Sequence, residues 1–124
     1  MCLTAYMAST TTHELYRRWI DELWNGDPRI ASELVTEDFV GHWPDGDVHG
    51  AKALASKIGE TQEMFTSLAF TLEVGPIVEG DLVSGRWSGH GRTSDGEMSF
   101  IGNDILRVSG GRFAEYWVAS LPIS

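Results

Sequence analysis

At 124 residues, with 42% hydrophobic and 22% charged side chains, the chain is sized and composed for one globular domain around a single core, which excludes a disordered or membrane-embedded protein. A formal charge of −9, from 18 acidic against 9 basic side chains, argues against nucleic acid and against an anionic membrane surface as partners. It leaves a small ligand that is neutral, cationic, or apolar with one polar group.

The single cysteine, Cys2, permits no disulfide within the chain and no thiolate metal centre, which points to a reducing, cytoplasmic setting. No signal peptide is evident, and no stretch approaches the roughly eighteen consecutive apolar residues of a membrane span. Residues 1–9 carry no period and read as a loose lead; residues 10–124 read as the domain.

Thr10, Thr11 or Thr12 can cap a first helix, with Glu14 completing a capping box after Thr11. Leu15, Tyr16, Trp19, Ile20, Leu23 and Trp24 follow the i, i+3, i+4 rule, so the helix runs to about Asn25 and stops at Gly26. Asp27-Pro28 opens a short second helix that reaches Leu34 or Val35. Thr36-Glu37-Asp38 reads as a turn, Phe39 to Trp43 as a strand ended by Pro44, and Asp45-Gly46-Asp47 as loop. A third helix spans about Ala51 to Thr66, with Leu54, Ile58, Met64 and Phe65 inward.

From Leu68 the hydrophobic period becomes two. Strands of about 68–79, 82–93, 97–109 and 112–120 follow, separated by Gly80-Asp81, Ser94-Asp95-Gly96 and Gly110-Gly111, which makes an antiparallel meander. Gly75-Pro76 predicts a bulge or an edge that bends the sheet. Three helices followed by a meander give an α+β domain with the helices on one face of a curved antiparallel sheet. Ile101 and Ile105 lie on the opposite face from Phe100, Leu106 and Val108, so the outer face also needs cover, and a second copy of the chain is the expected cover.

Asp104 is the residue that demands an account. It sits mid-strand on the face of Phe100, Leu106 and Val108, where a carboxylate must meet a cavity or a partner. The alternatives are an outward, solvated Asp104, or one ion-paired with Arg107 or Arg112.

Asn25-Gly26-Asp27, His42-Trp43-Pro44, Gly50, Arg86-Trp87-Ser88-Gly89-His90-Gly91, Gly102 to Arg107 and Gly111 to Trp117, in that order and spacing, resemble the SnoaL-like group of the NTF2-like superfamily. The resemblance covers the chain from about residue 10. It implies a cone-shaped fold with an apolar pocket between helices and sheet, on a scaffold that hosts cyclases, isomerases, dehydratases, epoxide hydrolases and catalytically silent binding domains. In polyketide cyclases of the group, the Asp matching Asp104 is the general acid/base of an aldol ring closure. In the related ketosteroid isomerases it is kept protonated and helps form an oxyanion hole. Where those isomerases carry a helix tyrosine the resemblance implies Trp19 here, and where they carry a proton-shuttling Asp before a proline it implies Trp43.

The candidate catalytic residues are therefore Asp104 and His90. Strand parity puts His90 with Arg86 and Ser88, while its flanking glycines allow a bulge that turns it inward. His42, Trp43, Tyr16, Trp19, Trp87 and Trp117 are the candidate substrate-binding residues, each also readable as structure or core. No two histidines have metal-ligand spacing, and neither metal nor other cofactor is expected. The function expected is cofactor-independent, aldol cyclase-like acid/base chemistry on a small apolar or aromatic carbonyl compound. The alternatives are a non-enzymatic binding or dimerisation module, and an isomerase or epoxide hydrolase-like relative.

Overall fold

The computed structural model describes residues 12–123; the lead of residues 1–9, Cys2, Thr10 and Thr11 lie outside the described residues. Helix α1 is α-helical over 12–18 and π-helical over Trp19–Trp24. Leu15, Tyr16, Trp19, Ile20 and Leu23 are buried, as their spacing predicts. The π turns are a departure from that spacing. They close with five-residue hydrogen bonds, Asn25 N to Ile20 O at 3.0 Å and Asp27 N to Glu22 O at 2.9 Å. Gly26 serves this ending by its size rather than by a left-handed φ, because a Cβ there would collide with the Glu22 carbonyl.

Helix α2 is a 3-10 turn, Pro28–Ile30, leading into Ala31–Leu34, with Asp27 accepting from the Arg29 amide at 2.9 Å as the N-cap. Strand β1, Val35–Trp43, starts earlier than the sequence implies. The expected turn at Thr36 to Asp38 is absorbed as an exposed irregularity in the pairing between Val35 and Val40, with Thr36 Oγ1 bonded to Asp38 Oδ1 at 2.7 Å. The segment read as loop forms β2, Gly46–His49, which pairs back on β1. Helix α3 is Gly50–Glu63, burying Leu54 and Ile58. Met64 lies past its end and is 69% exposed, contrary to the inward placement, whereas Phe65 packs on Phe100 at 6.1 Å.

The meander is β3, Ser67–Glu79, β4, Leu82–Thr93, β5, Gly96–Ser109, and β6, Arg112–Pro122. Gly110 and Gly111 make the last turn with φ of 60° and 81°, which suits a tight hairpin. The six strands form one curved, unclosed sheet in the order β2-β1-β6-β5-β4-β3. All pairs are antiparallel except β1 with β6, so the sheet is mixed where a wholly antiparallel one is expected. The pairing shifts on either side of Val74 in edge strand β3, beside Gly75-Pro76, as those residues predict. The helices cover the concave face, where Trp19, Leu23, Leu34, Phe39, Leu54, Ile58, Val83, Leu106 and Phe113 are fully buried. Asn25 fastens α1 to the edge strand: its Nδ2 donates to Phe70 O at 2.8 Å, and Phe70 N donates to its Oδ1 at 2.7 Å.

Candidate functional site

Asp104 is at the middle of β5, opposite Gly85 on β4 and Val118 on β6, and is 1% exposed. It points to the concave face, as its parity with Phe100 and Leu106 requires. Among the described residues no cation accompanies it: Arg107 pairs with Glu115 on the other face. What reaches it is the Tyr16 hydroxyl of α1, which donates to Oδ1 at 2.7 Å. Gly85 makes that approach possible, since a Cβ at this position would run into the Tyr16 hydroxyl. Oδ2 is buried and makes no well-aligned hydrogen bond among the described residues, although the Gly85 amide and the Trp87 indole lie near the carboxyl.

Burial raises the Asp104 pKa from 3.8 to about 7, because the charged form loses its hydration; the Tyr16 hydrogen bond, with smaller pulls from the Gly85 backbone and the Trp87 indole, opposes part of that rise. Tyr16 is pushed above the ordinary phenol value by burial first and by the Asp104 charge second. Tyr116 moves the same way for the same two reasons, and feels Tyr16 as well.

Asp104 lines a cavity of about 150 Å³. Two runs of aromatic rings flank it. On one side Trp19 packs on Tyr116 at 4.9 Å, and Tyr116 meets Trp43 edge-on at 5.1 Å. On the other side Trp24, Phe70, Trp87 and Phe100 follow one another at 5.3 to 6.3 Å between ring centres. Edge-to-face packing of this kind holds rings rigidly. Half-buried Trp24, Trp43, Thr61 and Val118 and exposed Ser120 mark the mouth, between the helices and β6. Lys57 lies over the outer ring of Trp43 with Nζ 5.3 Å from its centroid.

Of the candidate residues, the structure brings Asp104, Tyr16, Trp19, Trp43 and Trp87 together here. Three others lie elsewhere. His90 is on the convex face with Nδ1 2.9 Å from Ser99 Oγ, because pairing through Gly89-His90-Gly91 is continuous with both neighbouring strands and no bulge turns it. His42 also faces outward, alternating with Gly41 and Trp43; it bonds Asp47 at 2.9 Å and Glu115 at 2.7 Å. Those two bonds raise the His42 pKa, that to Glu115 most, and the His42 bond in turn lowers the pKa of Glu115, with Arg107 adding to it. Trp117 stacks on His42 at 5.7 Å and does not reach the cavity.

The helix hydroxyl that meets the carboxyl comes from Tyr16, one turn before the Trp19 to which that position is assigned by resemblance. Trp24, Phe70 and Phe100 are lining residues that were not among the candidates. Phe100 shares the face of Asp104 four residues away and was readable by parity. Phe70 needed the strand register and Trp24 needed the π turns. Among the described residues, no group of three His, Cys, Asp or Glu side chains is placed to hold a metal ion.

No curated protein matches the chain. Solved structures do. A SnoaL-like polyketide cyclase candidate from Jannaschia sp. CCS1 superposes with a TM-score of 0.80 at 20% identity, over 90% of this chain and 85% of that one. IdmH, a polyketide cyclase candidate from Streptomyces antibioticus, gives 0.74 at 23% identity, over 86% and 89%. A ketosteroid isomerase-like protein from Catenulispora acidiphila gives 0.76 at 17% identity, over 86% and 84%. At such identities the likeness speaks to the fold, which is NTF2-like and ketosteroid isomerase-like. The SnoaL-like domain profile matches residues 16–116, from the tyrosine that meets Asp104 to the tyrosine that walls its cavity, and the chain belongs to the SnoaL-like family.

Proposed function

We propose that the protein is a cofactor-independent enzyme of the aldol cyclase type, which moves a proton with Asp104 on a small apolar or aromatic carbonyl compound held in the aromatic cavity. The observation that carries this reading is a single carboxyl on the wall of an apolar cavity, buried without a cation and oriented through Oδ1 by Tyr16. With a pKa of about 7, roughly half of Asp104 is ionised at neutral pH, where both giving and taking a proton are productive. The ionised carboxylate removes a proton from the carbon beside a carbonyl. The resulting enolate carbon attacks a second carbonyl of the same molecule, forming the ring bond. The alkoxide so formed takes the proton back from Asp104. The rings exclude water, which otherwise quenches the enolate.

Neither His90 nor His42 enters this scheme, because both side chains lie on the convex face. Among the described residues the cavity lining has no second carboxylate, so the isomerase and epoxide hydrolase-like alternatives lack a partner for Asp104. The same fact favours a second reading, a binding module in which the carboxyl recognises a ligand without turning it over. Deuterium exchange at the methyl and methylene carbons of small ketones, followed by proton NMR in deuterated buffer, separates the two. The enzyme reading requires exchange faster than buffer alone, rising with pH through about 7 and abolished in Asp104→Asn. Ligand-induced shifts without accelerated exchange mean the binding module.

The protein is further read as a cytoplasmic homodimer joined through the convex sheet face. Ile105 is 44% and Leu121 is 56% exposed there, beside half-buried Ile101 and Trp117, which supports the cover anticipated for this surface.

A further inference from the structure

A buried N–H or carboxyl oxygen left without a partner is destabilising, and folded proteins keep few of them. Among the described residues, the buried side-chain polar atoms in this condition are Trp19 Nε1, Trp24 Nε1 and Asp104 Oδ2. All three belong to residues that line the one aromatic cavity. Scattered packing accidents do not gather around one cavity; a site built to receive a ligand has its polar partners in this state.

Helix geometry supplies an independent observation. In an α-helix, residues five apart point about 140° from one another and do not share a wall. Trp19 and Trp24 are the two ends of the π segment, whose wider turn brings residues five apart back towards one side. Both line the cavity in consequence, one within each run of rings. Such segments concentrate at functional sites.

We propose that the indole N–H groups of Trp19 and Trp24 are the ligand-oxygen donors of this site, so that the compound it selects is a single-ring carbonyl compound with its oxygen toward α1 and its acidic carbon toward Asp104. The assignment rests on the carbonyl-compound reading above and adds the groups that recognise the oxygen. It also gives the enolate a resting place: negative charge that develops on the oxygen when Asp104 takes the proton meets two N–H dipoles in a mostly apolar cavity. Indoles suit the task because they donate and never accept, so a hydroxyl or amine in place of the carbonyl gains less. The volume of about 150 Å³ is that of an engineered apolar cavity known to admit benzene, which limits the ligand core to about one ring.

The test uses two compounds of one shape, acetophenone and α-methylstyrene, in which C=CH₂ replaces C=O. Titration of the full chain is followed by the indole Nε1–H resonances in nitrogen-15 NMR, in the parent and in Trp19→Phe and Trp24→Phe. Acetophenone is expected to bind about thirtyfold more tightly than the hydrocarbon, two neutral hydrogen bonds at about 1 kcal/mol each setting the scale. Each substitution lowers that preference about fivefold, and acetophenone alone moves the Trp19 and Trp24 resonances downfield. Where a variant fails to fold, the parent resonances decide. Equal binding of the two compounds with unmoved indole resonances overturns the indole assignment and leaves the cavity reading standing. Binding of neither compound by the parent overturns the cavity reading and this assignment with it.

Discussion

Asp104 shapes how the protein responds to pH. Its folded pKa, about 7, lies above the ordinary 3.8, so its protonated form is favoured by folding. The stability it contributes is complete below about pH 3.8 and is lost as pH rises through about 7, by roughly 4 kcal/mol across that window. Asp104→Asn removes this dependence. Urea unfolding at pH 4.5 and pH 8 is expected to show the parent losing stability relative to Asp104→Asn, and parallel behaviour of the two proteins is the contrary result. His42, whose pKa is also raised, loses stabilisation in the same direction above the ordinary histidine value, but it is present in both proteins and cancels from the comparison. Tyr16→Phe takes away the hydrogen bond that opposes the rise, so the Asp104 pKa moves further up in carbon-13 NMR of the labelled carboxyl.

Two elements position that carboxyl, and each depends on a small contact. Gly85 on β4 leaves room for the Tyr16 hydroxyl; Gly85→Ala forces ring or strand to shift, with an expected loss of about 1–3 kcal/mol and of the Tyr16–Asp104 hydrogen bond. Denaturant midpoints measure the first effect and the Asp104 titration the second. Asn25, at the end of the π segment, imitates a strand partner for Phe70 and holds the edge of the sheet against α1. Asn25→Ala leaves both Phe70 backbone groups without that partner and is expected to cost about 1–3 kcal/mol. Amide exchange read at Phe70 should quicken more than exchange in the central strands β4 and β5; uniform quickening means that the clamp has no local role.

For the whole molecule, the convex face and the net charge act in opposite directions. Burying Ile105 and Leu121 between two copies favours a dimer, while two chains that each carry −9 repel one another. Association is therefore expected to tighten with added salt and to fail in Ile105→Asp. Light scattering at roughly tens of micromolar, in low and high salt, decides it: a monomeric mass under both conditions removes the dimer, since the surface then lacks the size that stable interfaces need.

Much of the architecture is legible in the chain because it is written in local periods. The 3.6-residue spacing of Leu15 to Leu23, the Asp27-Pro28 cap, the two-residue period after Leu68 and the glycines at each turn are short-range features with one stable geometry each. The inward direction of Asp104 follows from that same period once Phe100 and Leu106 are known to be core. The sequence determined the helices, the meander and the residue that needed explaining. Only the tertiary structure decided what Asp104 touches. Tyr16 is 88 residues away, and their meeting depends on the tilt of α1 over the sheet and on the space above Gly85, neither of which leaves a local trace. Trp24 joined Trp19 at the cavity through π turns that their α-helical spacing conceals, and His90 stayed outside because continuous pairing on both sides overrode the freedom of its flanking glycines.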